Sequence, residues 1–388
     1  FYKGYNMSVQ TGLLPRLLSG ENIFEPKPFS DVLTGEHAFY NHADYYESTQ
    51  KDFKSKVLLP VVYTWNTEHI VFRIVKLILA IIIFPIAIYQ LLHTLVGKVA
   101  ILPSSSPSLM GYSNNHCTES RLNIYLKGEW KYKRITVKVD GIKIDAMIVG
   151  KASTLGNGRW VLASNGNGEF YEDKLGGHSD FNQTLNELNG NAIVFNYPGS
   201  GISAGWPTRN ALSKAYRIML RFLEDEKKGI GAKEIIGYGL SIGCGVQGDA
   251  LKSHKLNNKI KYVFVKRVPF SSLADVASAI TCWPVGLLVR FLGWNQDTAE
   301  SSKKLKAPEI IMQTARVWDY EELTDSSKII HDGVIPEKAT LAKVLLDDKK
   351  SPRHNKLFIG MLENHNGVLK NPSYLSEKIN MYLLDQER

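Results

Sequence analysis

The sequence predicts an α/β fold: a mostly parallel central sheet covered by helices on both faces, preceded by a hydrophobic transmembrane-type helix. Three observations predict it. From about residue 130 onward, short apolar runs alternate with helix-length amphipathic stretches. One hairpin opens that region, with strand Arg134–Val139, turn Asp140-Gly141 and return strand Ile142–Val149. Its glycine tolerates the positive φ that a two-residue turn needs. Ahead of it stand the 21 residues Leu77–Gly97, which carry no formal charge.

Composition bounds the function classes. Of 388 residues, 44% are apolar and 22% charged, the ordinary globular range, so collagen-like, mucin-like and wholly disordered chains are excluded. The length suits two to three domains and a core without staples. Three scattered cysteines, Cys117, Cys244 and Cys282, make neither a disulfide framework nor a metal site. The net charge of +9 is spread along the chain without a Lys/Arg block. That pattern disfavours a nucleic-acid partner and favours an anionic membrane. The numbering opens at Phe1, so the chain reads as a fragment or a late start, with Met7 as a candidate initiator. No signal peptide is expected in its first 30 residues.

Taken in order, residues 1–68 mix aromatics, charges and prolines without a period and read as a leader of uncertain structure. Residues 69–102 read as a membrane segment. As one helix, LILAIIIFPIAIYQLLHTLVG would be about 31 Å long, against roughly 30 Å of hydrocarbon. Its 13 Leu, Ile, Val and Phe residues favour insertion by about 4–8 kcal/mol before the costs of Pro85, Gln90 and His93. Pro85 is expected to kink it. A single pass over 77–97 is expected, with the amino terminus cytoplasmic because Lys51, Lys54, Lys56, Arg73 and Lys76 precede it and only Lys98 closely follows. The alternatives are a buried amphipathic helix or a shallow hairpin. Residues 103–120 form a Pro/Ser-rich linker, and 121–388 the catalytic-type domain. In that domain the further strands are expected at Trp160–Ala163, Ala192–Phe195, Glu234–Tyr238, Lys261–Val265, Glu309–Gln313 and Lys356–Met361.

Chemistry gathers where strands end. Gly239-Leu240-Ser241-Ile242-Gly243 follows the strand EIIGYG and opens the small-residue helix CGVQG. A nucleophile elbow needs that context: serine at the tip of a strained turn, glycines where backbones approach, and a helix N-terminus aimed at a developing oxyanion. The plainer reading is a tight packing turn. Ser164-Asn165-Gly166-Asn167-Gly168-Glu169 follows the strand at Trp160–Ala163 and can present backbone N–H groups. It lacks the Gly-Lys-Ser/Thr ending of a phosphate loop, and no dinucleotide fingerprint occurs, so no cofactor is expected. Phe195–Gly205, FNYPGSGISAG, follows the next strand in the same way.

These three ordered turns resemble the α/β-hydrolase superfamily over about residues 130–385. The resemblance implies an α/β-hydrolase-like fold, with oxyanion donors at the backbone N–H of Ile242 and of Asn167 or Gly168. Asn165 stands where that superfamily usually has histidine, so the loop's support is expected to differ. A triad then needs an acid and a histidine downstream. Of His254, His331, His354 and His365, only His365 follows the last strand, where the fold places the base. Four carboxylates follow the strand near Thr314: Asp319, Glu321, Glu322 and Asp325. Further on, Asp332-Gly333-Val334-Ile335-Pro336 resembles the acid-bearing signature of many hydrolases. Asp332 is the expected acid and Asp319 the alternative, with 315–331 an insertion in the first case. The apolar stretch around 273–295 sits where these enzymes carry a lid. Its Trp283, Leu287, Leu288, Phe291 and Trp294 are read as an acyl-pocket wall, a membrane contact or plain core packing.

A closer resemblance is to the chlamydial CHLPS 43 kDa protein family. The apolar segment, the NGNGE loop and the stretch QTARVWDYEELTDSSKIIHDGVIPEKATLA carry it. It implies a bacterial, host-facing, membrane-associated protein. The expected function is a serine hydrolase of esterase, lipase or thioesterase type, taking an acyl-containing small molecule or lipid through Ser241, Asp332 and His365. The alternative is a catalytically inactive hydrolase-fold protein that acts at a membrane on a protein partner the sequence does not identify.

Overall fold

The computed structural model describes residues 40–41, 55–124, 130–151, 153–154, 157–176 and 179–386. Most of the expected leader, with Phe1 and Met7, lies outside the described residues. The strands are β1 (Tyr40–Asn41), β2 (Val61–Trp65), β3 (Trp130–Val139), β4 (Ile142–Lys151), β5 (Arg159–Ser164), β6 (Asn191–Phe195), β7 (Glu234–Leu240), β8 (Lys261–Arg267), β9 (Glu309–Thr314), β10 (Glu321–Glu322) and β11 (Lys356–Met361). The helices are α1 (Ile70–Ile82), α2 (Phe84–Val96), α3 (His116–Leu122), α4 (Tyr171–Lys174), α5 (Asp180–Glu187), α6 (Arg209–Glu224), α7 (Ile242–Lys252), α8 (Leu273–Ile280), α9 (Trp283–Phe291), α10 (Thr298–Lys304), α11 (Leu341–Asp347) and α12 (Pro372–Asp385).

One sheet runs β1-β3-β4-β6-β5-β7-β8-β9-β11-β10, with β2 also paired to β3. Neighbours from β6 through β11 in that order are parallel, while β4 is antiparallel to both β3 and β6. β3 and its parallel partner β2 therefore run in the same direction as the central strands. The carboxyl ends of β2, β3 and β7 all lie at one edge of the sheet. This is an α/β-hydrolase-like fold. The β3–β4 turn places both Asp140 (φ 46) and Gly141 (φ 85) in the left-handed region, as a tight hairpin turn requires.

Both faces of the sheet are buried, and strand alternation sorts the side chains. From β5, Trp160 and Leu162 face the core built with α6, which contributes Leu212, Ala215, Met219 and Leu223. Val161 and Ala163 face the other core, with Phe181 and Leu185 of α5 and Leu375, Ile379 and Leu383 of α12. Each such side chain contributes about 1.5–3 kcal/mol on burial. Thr208 starts α6 by accepting a hydrogen bond from the Ala211 N–H at 3.2 Å.

Three expectations are corrected here. Val61–Trp65 belong to the sheet, so the leader does not extend to residue 68. The linker is packed structure: 3-10 turns at Pro103–Ser105 and Pro107–Met110 lead into α3, and Ser104 is buried. The expected single pass over 77–97 is two helices. α1 ends at Ile82, Ile83 breaks the path (φ −92, ψ 85), and Pro85 sits in the first turn of α2. A proline there lacks the N–H a continuing helix would need, and its ring would meet the carbonyl one turn back.

Both flanks of this arm are fixed to the same domain. Before it, Thr67 donates its N–H to Asp140 Oδ1 at 2.6 Å and its hydroxyl to Oδ2 at 2.5 Å. After it, Leu102 is buried and the Ser104 N–H donates to the Asn167 carbonyl at 3.3 Å. A single pass would part these flanks by about 30 Å of hydrocarbon. Among the described residues, Phe84–Ile101 is the one helical stretch long and apolar enough to cross a membrane, by length and composition.

Candidate active site

β7 delivers Ser241 at its carboxyl end, and α7 begins at the next residue. Ser241 has φ 52 and ψ −116, a sparsely populated conformation costing about 1–3 kcal/mol. The flanking glycines are required by contact. A Cβ on Gly243 would lie 2.4 Å from the Ser164 carbonyl oxygen, and one on Gly239 would lie 3.1 Å from the Cys244 backbone. The turn is held by the Ser241 N–H, which donates to the Arg267 carbonyl at 3.0 Å. Cys244, next in the helix, is fully buried, and burial pushes its thiol up to about 12. It packs as a small apolar side chain.

His365 lies in the loop after β11. Its Nε2 is 2.9 Å from Ser241 Oγ and its Nδ1 2.8 Å from Asp332 Oδ2. Asp332 Oδ1 accepts the N–H groups of Val334 at 2.9 Å and Ile335 at 2.6 Å, and the His365 N–H donates to the Asp332 carbonyl at 2.7 Å. Asp332 is buried, and both of its carboxylate oxygens have partners. A carboxylate only accepts, so Nδ1 carries the proton and Nε2 is left to accept from the Ser241 hydroxyl. Asp319 is exposed and its Oδ1 accepts the Tyr320 N–H, so the alternative acid is not brought to His365. The 315–331 stretch is an excursion closed by the Ala315–Ile329 bridge and by β10 pairing with β11.

The loop after β5 approaches from the other side. Asn165 is buried, and its side-chain amide N–H donates to the Phe195 carbonyl at 3.0 Å, while its backbone carbonyl accepts the Tyr197 hydroxyl at 3.0 Å. It therefore ties the loop to the end of β6. Gly166, Asn167 and Gly168 line one cleft with Ser241 and His365. The Gly166 N–H donates to Glu169 Oε2 at 2.9 Å, and Lys174 neutralises that carboxylate at 2.8 Å. Ile242 opens α7, and the first N–H of a helix has no partner within it. Beneath the loop lies a buried ionic cluster. Arg121 meets Glu172 at 2.6 Å, Arg134 meets Asp145 at 2.8 Å, and Tyr171 donates to Asp145 at 3.1 Å. It fixes α4, and with it the far end of the loop.

The cleft encloses about 590 Å³. Its other walls escaped sequence reasoning. Met110 and Tyr112, read as linker, line it, as do His116, Asp180 and Arg267. Tyr112 stacks on His116 at 4.0 Å, and His116 pairs with Asp173 at 3.1 Å. Arg267 donates to Asp180 and to the Gly367 carbonyl, and Asp180 accepts the Leu369 N–H at 2.8 Å, so the pair clamps the loop that carries His365. Arg267 at a strand end was visible in the sequence; its partner Asp180, 87 residues earlier, was not.

The expected lid does not cover this cleft. Residues 273–295 form α8, α9 and a turn, and none of them lines it. Trp283 (70% exposed), Leu287, Leu288 and Phe291 face outward. Trp294 is buried, stacked on His93 of α2 at 4.7 Å, with its ring N–H donating to the His93 carbonyl at 2.7 Å. Among the described residues no cluster of three or more His, Cys, Asp or Glu is placed to hold a metal ion.

A family model described as Chlamydia CHLPS protein (DUF818) matches residues 42–383. No curated protein matches the chain by sequence. Among solved structures, an esterase of Pyrococcus furiosus is 14% identical, covering 66% of this chain and 90% of its own, with a TM-score of 0.46. An alpha-beta hydrolase from Vibrio vulnificus is 16% identical, covering 70% and 91%, with a TM-score of 0.48. An acetyl xylan esterase from Paenibacillus sp. R4 is 16% identical, covering 67% and 86%, with a TM-score of 0.46.

Proposed function

We propose that this chain, which belongs to the Chlamydia CHLPS protein family, is a membrane-associated serine hydrolase acting on an acyl ester, thioester or lipid. One observation carries the reading: a strained serine whose Oγ lies 2.9 Å from a histidine that a buried carboxylate orients from 2.8 Å on its other side. His365 Nε2 takes the Ser241 proton as Oγ attacks the acyl carbon. The carbonyl oxygen becomes an oxyanion, which the N–H groups of Ile242 and of Asn167 or Gly168 receive at the α7 N-terminus. Asp332 holds the imidazolium that forms. His365 then gives its proton to the leaving alcohol or thiol, and water releases the acyl group by the reverse sequence. An acyltransferase differs only in the acceptor of that second step.

The test is labelling of the full chain with a fluorophosphonate. Labelling that disappears in Ser241→Ala supports the reading, and an unlabelled folded chain refutes it. The alternative of an inactive interaction protein gains support from one observation: the Glu169 carboxylate occupies the Gly166 N–H beside the expected oxyanion site. The same labelling decides between the two.

A further inference from the structure

The arm made by α1 and α2 is the largest feature that the catalytic reading leaves without a task. No side chain of α2 is buried. On α1, Ile70, Val71 and Phe72 are all exposed, and consecutive residues point about 100° apart around a helix. The two charged side chains of α1 stand near its root, Arg73 beside Gly141 and Lys76 paired with Glu68 at 2.9 Å, and beyond them residues 77–82 include no polar residue to make a stripe for water. A helix apolar all round belongs in an apolar medium. α9 extends the surface, with Phe291 edge-on to Tyr89 of α2 at 6.1 Å and with Trp283 and Leu287 exposed.

The geometry of the roots limits how deep the arm can go. Each helix has 13 residues, about 20 Å, short of the roughly 30 Å needed to cross. The longer stretch Phe84–Ile101 does not add free length. Its Gly97 and Ile101 are buried in the domain, and a Cβ on Gly97 would lie 2.3 Å from the Trp294 ring. At this root Lys98 lies over the exposed Trp206 ring at 5.4 Å, a pairing suited to the headgroup level of a bilayer.

The arm also emerges beside the cleft. It leaves from the carboxyl end of β2, paired there with that of β3, at the edge of the sheet where β7 presents Ser241. It returns through Ser105, whose hydroxyl donates to the Lys98 carbonyl at 3.2 Å, and Ser104, whose N–H reaches the Asn167 carbonyl. Met110 then packs against Gly168 in the cleft wall. The cleft itself carries His116, Asp173 and Arg267, so it suits an ester next to a polar headgroup.

We propose that α1, α2 and α9 enter one leaflet of a lipid bilayer without crossing it, both roots remaining on the domain's side, and that the Ser241 cleft takes its ester from that leaflet. The second half rests on the serine-hydrolase reading; the first does not.

The test uses the full chain in a Cys282→Ser background, Cys117 and Cys244 being buried. Asn66→Cys and Asn114→Cys flank the arm, and Ile82→Cys sits near its tip. The chain is made by cell-free synthesis in the presence of phosphatidylcholine–phosphatidylglycerol vesicles and treated with a membrane-impermeant maleimide. Both flanking cysteines are expected to label, while the tip labels only after the vesicles are dissolved in SDS. Protection of one flank overturns the proposal, as does a chain that stays soluble as a dimer. A second measurement compares two fluorophosphonates on the wild type and on Phe72→Glu/Leu77→Glu/Leu91→Glu. The lipid-tailed probe, carried in the vesicles, is expected to label the wild type at least ten times faster than the triple variant. The small water-soluble probe is expected to label both alike. Equal rates with the lipid-tailed probe sink the interfacial cleft, and no labelling by the soluble probe sinks the hydrolase reading instead.

Discussion

Asp332→Asn separates orientation from folding. The substituted side chain keeps its oxygen, which can still accept the Val334 and Ile335 N–H groups at 2.9 and 2.6 Å. Losing those bonds would leave the buried Ile335 donor unpaired at about 1–3 kcal/mol, so keeping them holds the fold. The other end changes sign. An NH₂ now faces His365 Nδ1, where the carboxylate accepted at 2.8 Å. The imidazole satisfies it by moving its proton to Nε2, which then points an N–H at Ser241 Oγ and no longer accepts from it. Loss of the correct tautomer costs about 10⁴-fold in a serine triad, or roughly 5.5 kcal/mol of transition-state stabilisation. The assay is the second-order rate of fluorophosphonate labelling, alongside a urea unfolding midpoint. The expected result is a rate lower by about 10⁴ with the midpoint nearly unchanged. A rate within tenfold of the wild type would refute the orienting role of Asp332. A large loss in Asp319→Asn would transfer that role.

Two further outcomes are expected. Gly243→Ala forces the elbow away from the Ser164 carbonyl, 2.4 Å from the added Cβ, at about 1–3 kcal/mol; an unchanged unfolding midpoint together with unchanged labelling would show that the elbow yields freely. Asp140 bears on acid stability. Burial raises its carboxyl, but hydrogen bonds from Lys214 and Thr67 outweigh that and hold it below its ordinary 3.8. Its contribution is therefore present above 3.8 and lost as pH falls through the lower native value. In Asp140→Asn, stability at pH 7 is expected to drop by about 1–2 kcal/mol. Its decline below pH 4 is expected to be shallower than in the wild type, and parallel declines would count against this.

The central strands were legible because burial on both faces writes them as apolar runs. Lys356–Met361 coincides with the expected span, and the others run one to four residues longer at one or both ends. Ser241 and His365 were legible because each ends such a run, where a hydrolase-like sheet exposes its chemistry. Other features depend on partners remote in sequence. β2 is five residues, and nothing local says that Trp65 pairs beside Val139. Pro103–Met110 has the composition of a linker, yet its Ser104 is fixed by an oxygen on Asn167. Hydropathy counted Leu77–Gly97 as one span because it is blind to the contacts that hold both flanks on one domain. The lid expectation failed for a related reason. The outward apolar face of α9 was visible as apolar, but α2, which lies beside it, comes from 200 residues earlier.

The arm is spliced into the domain between β2 and α3, which makes it a loop and not a tether. A protease that cuts a tether sets its cargo free; one cut in this arm only nicks the chain. The severed front piece stays zipped along β3 by its ladder. It is also pinned where the Ser55 carbonyl accepts from Arg121 at 3.1 Å and Arg134 at 3.3 Å. Shedding the domain would take a second cut near Lys98. Two roots also remove the swivel that a single stalk allows, so the domain would keep one face towards any surface the arm enters.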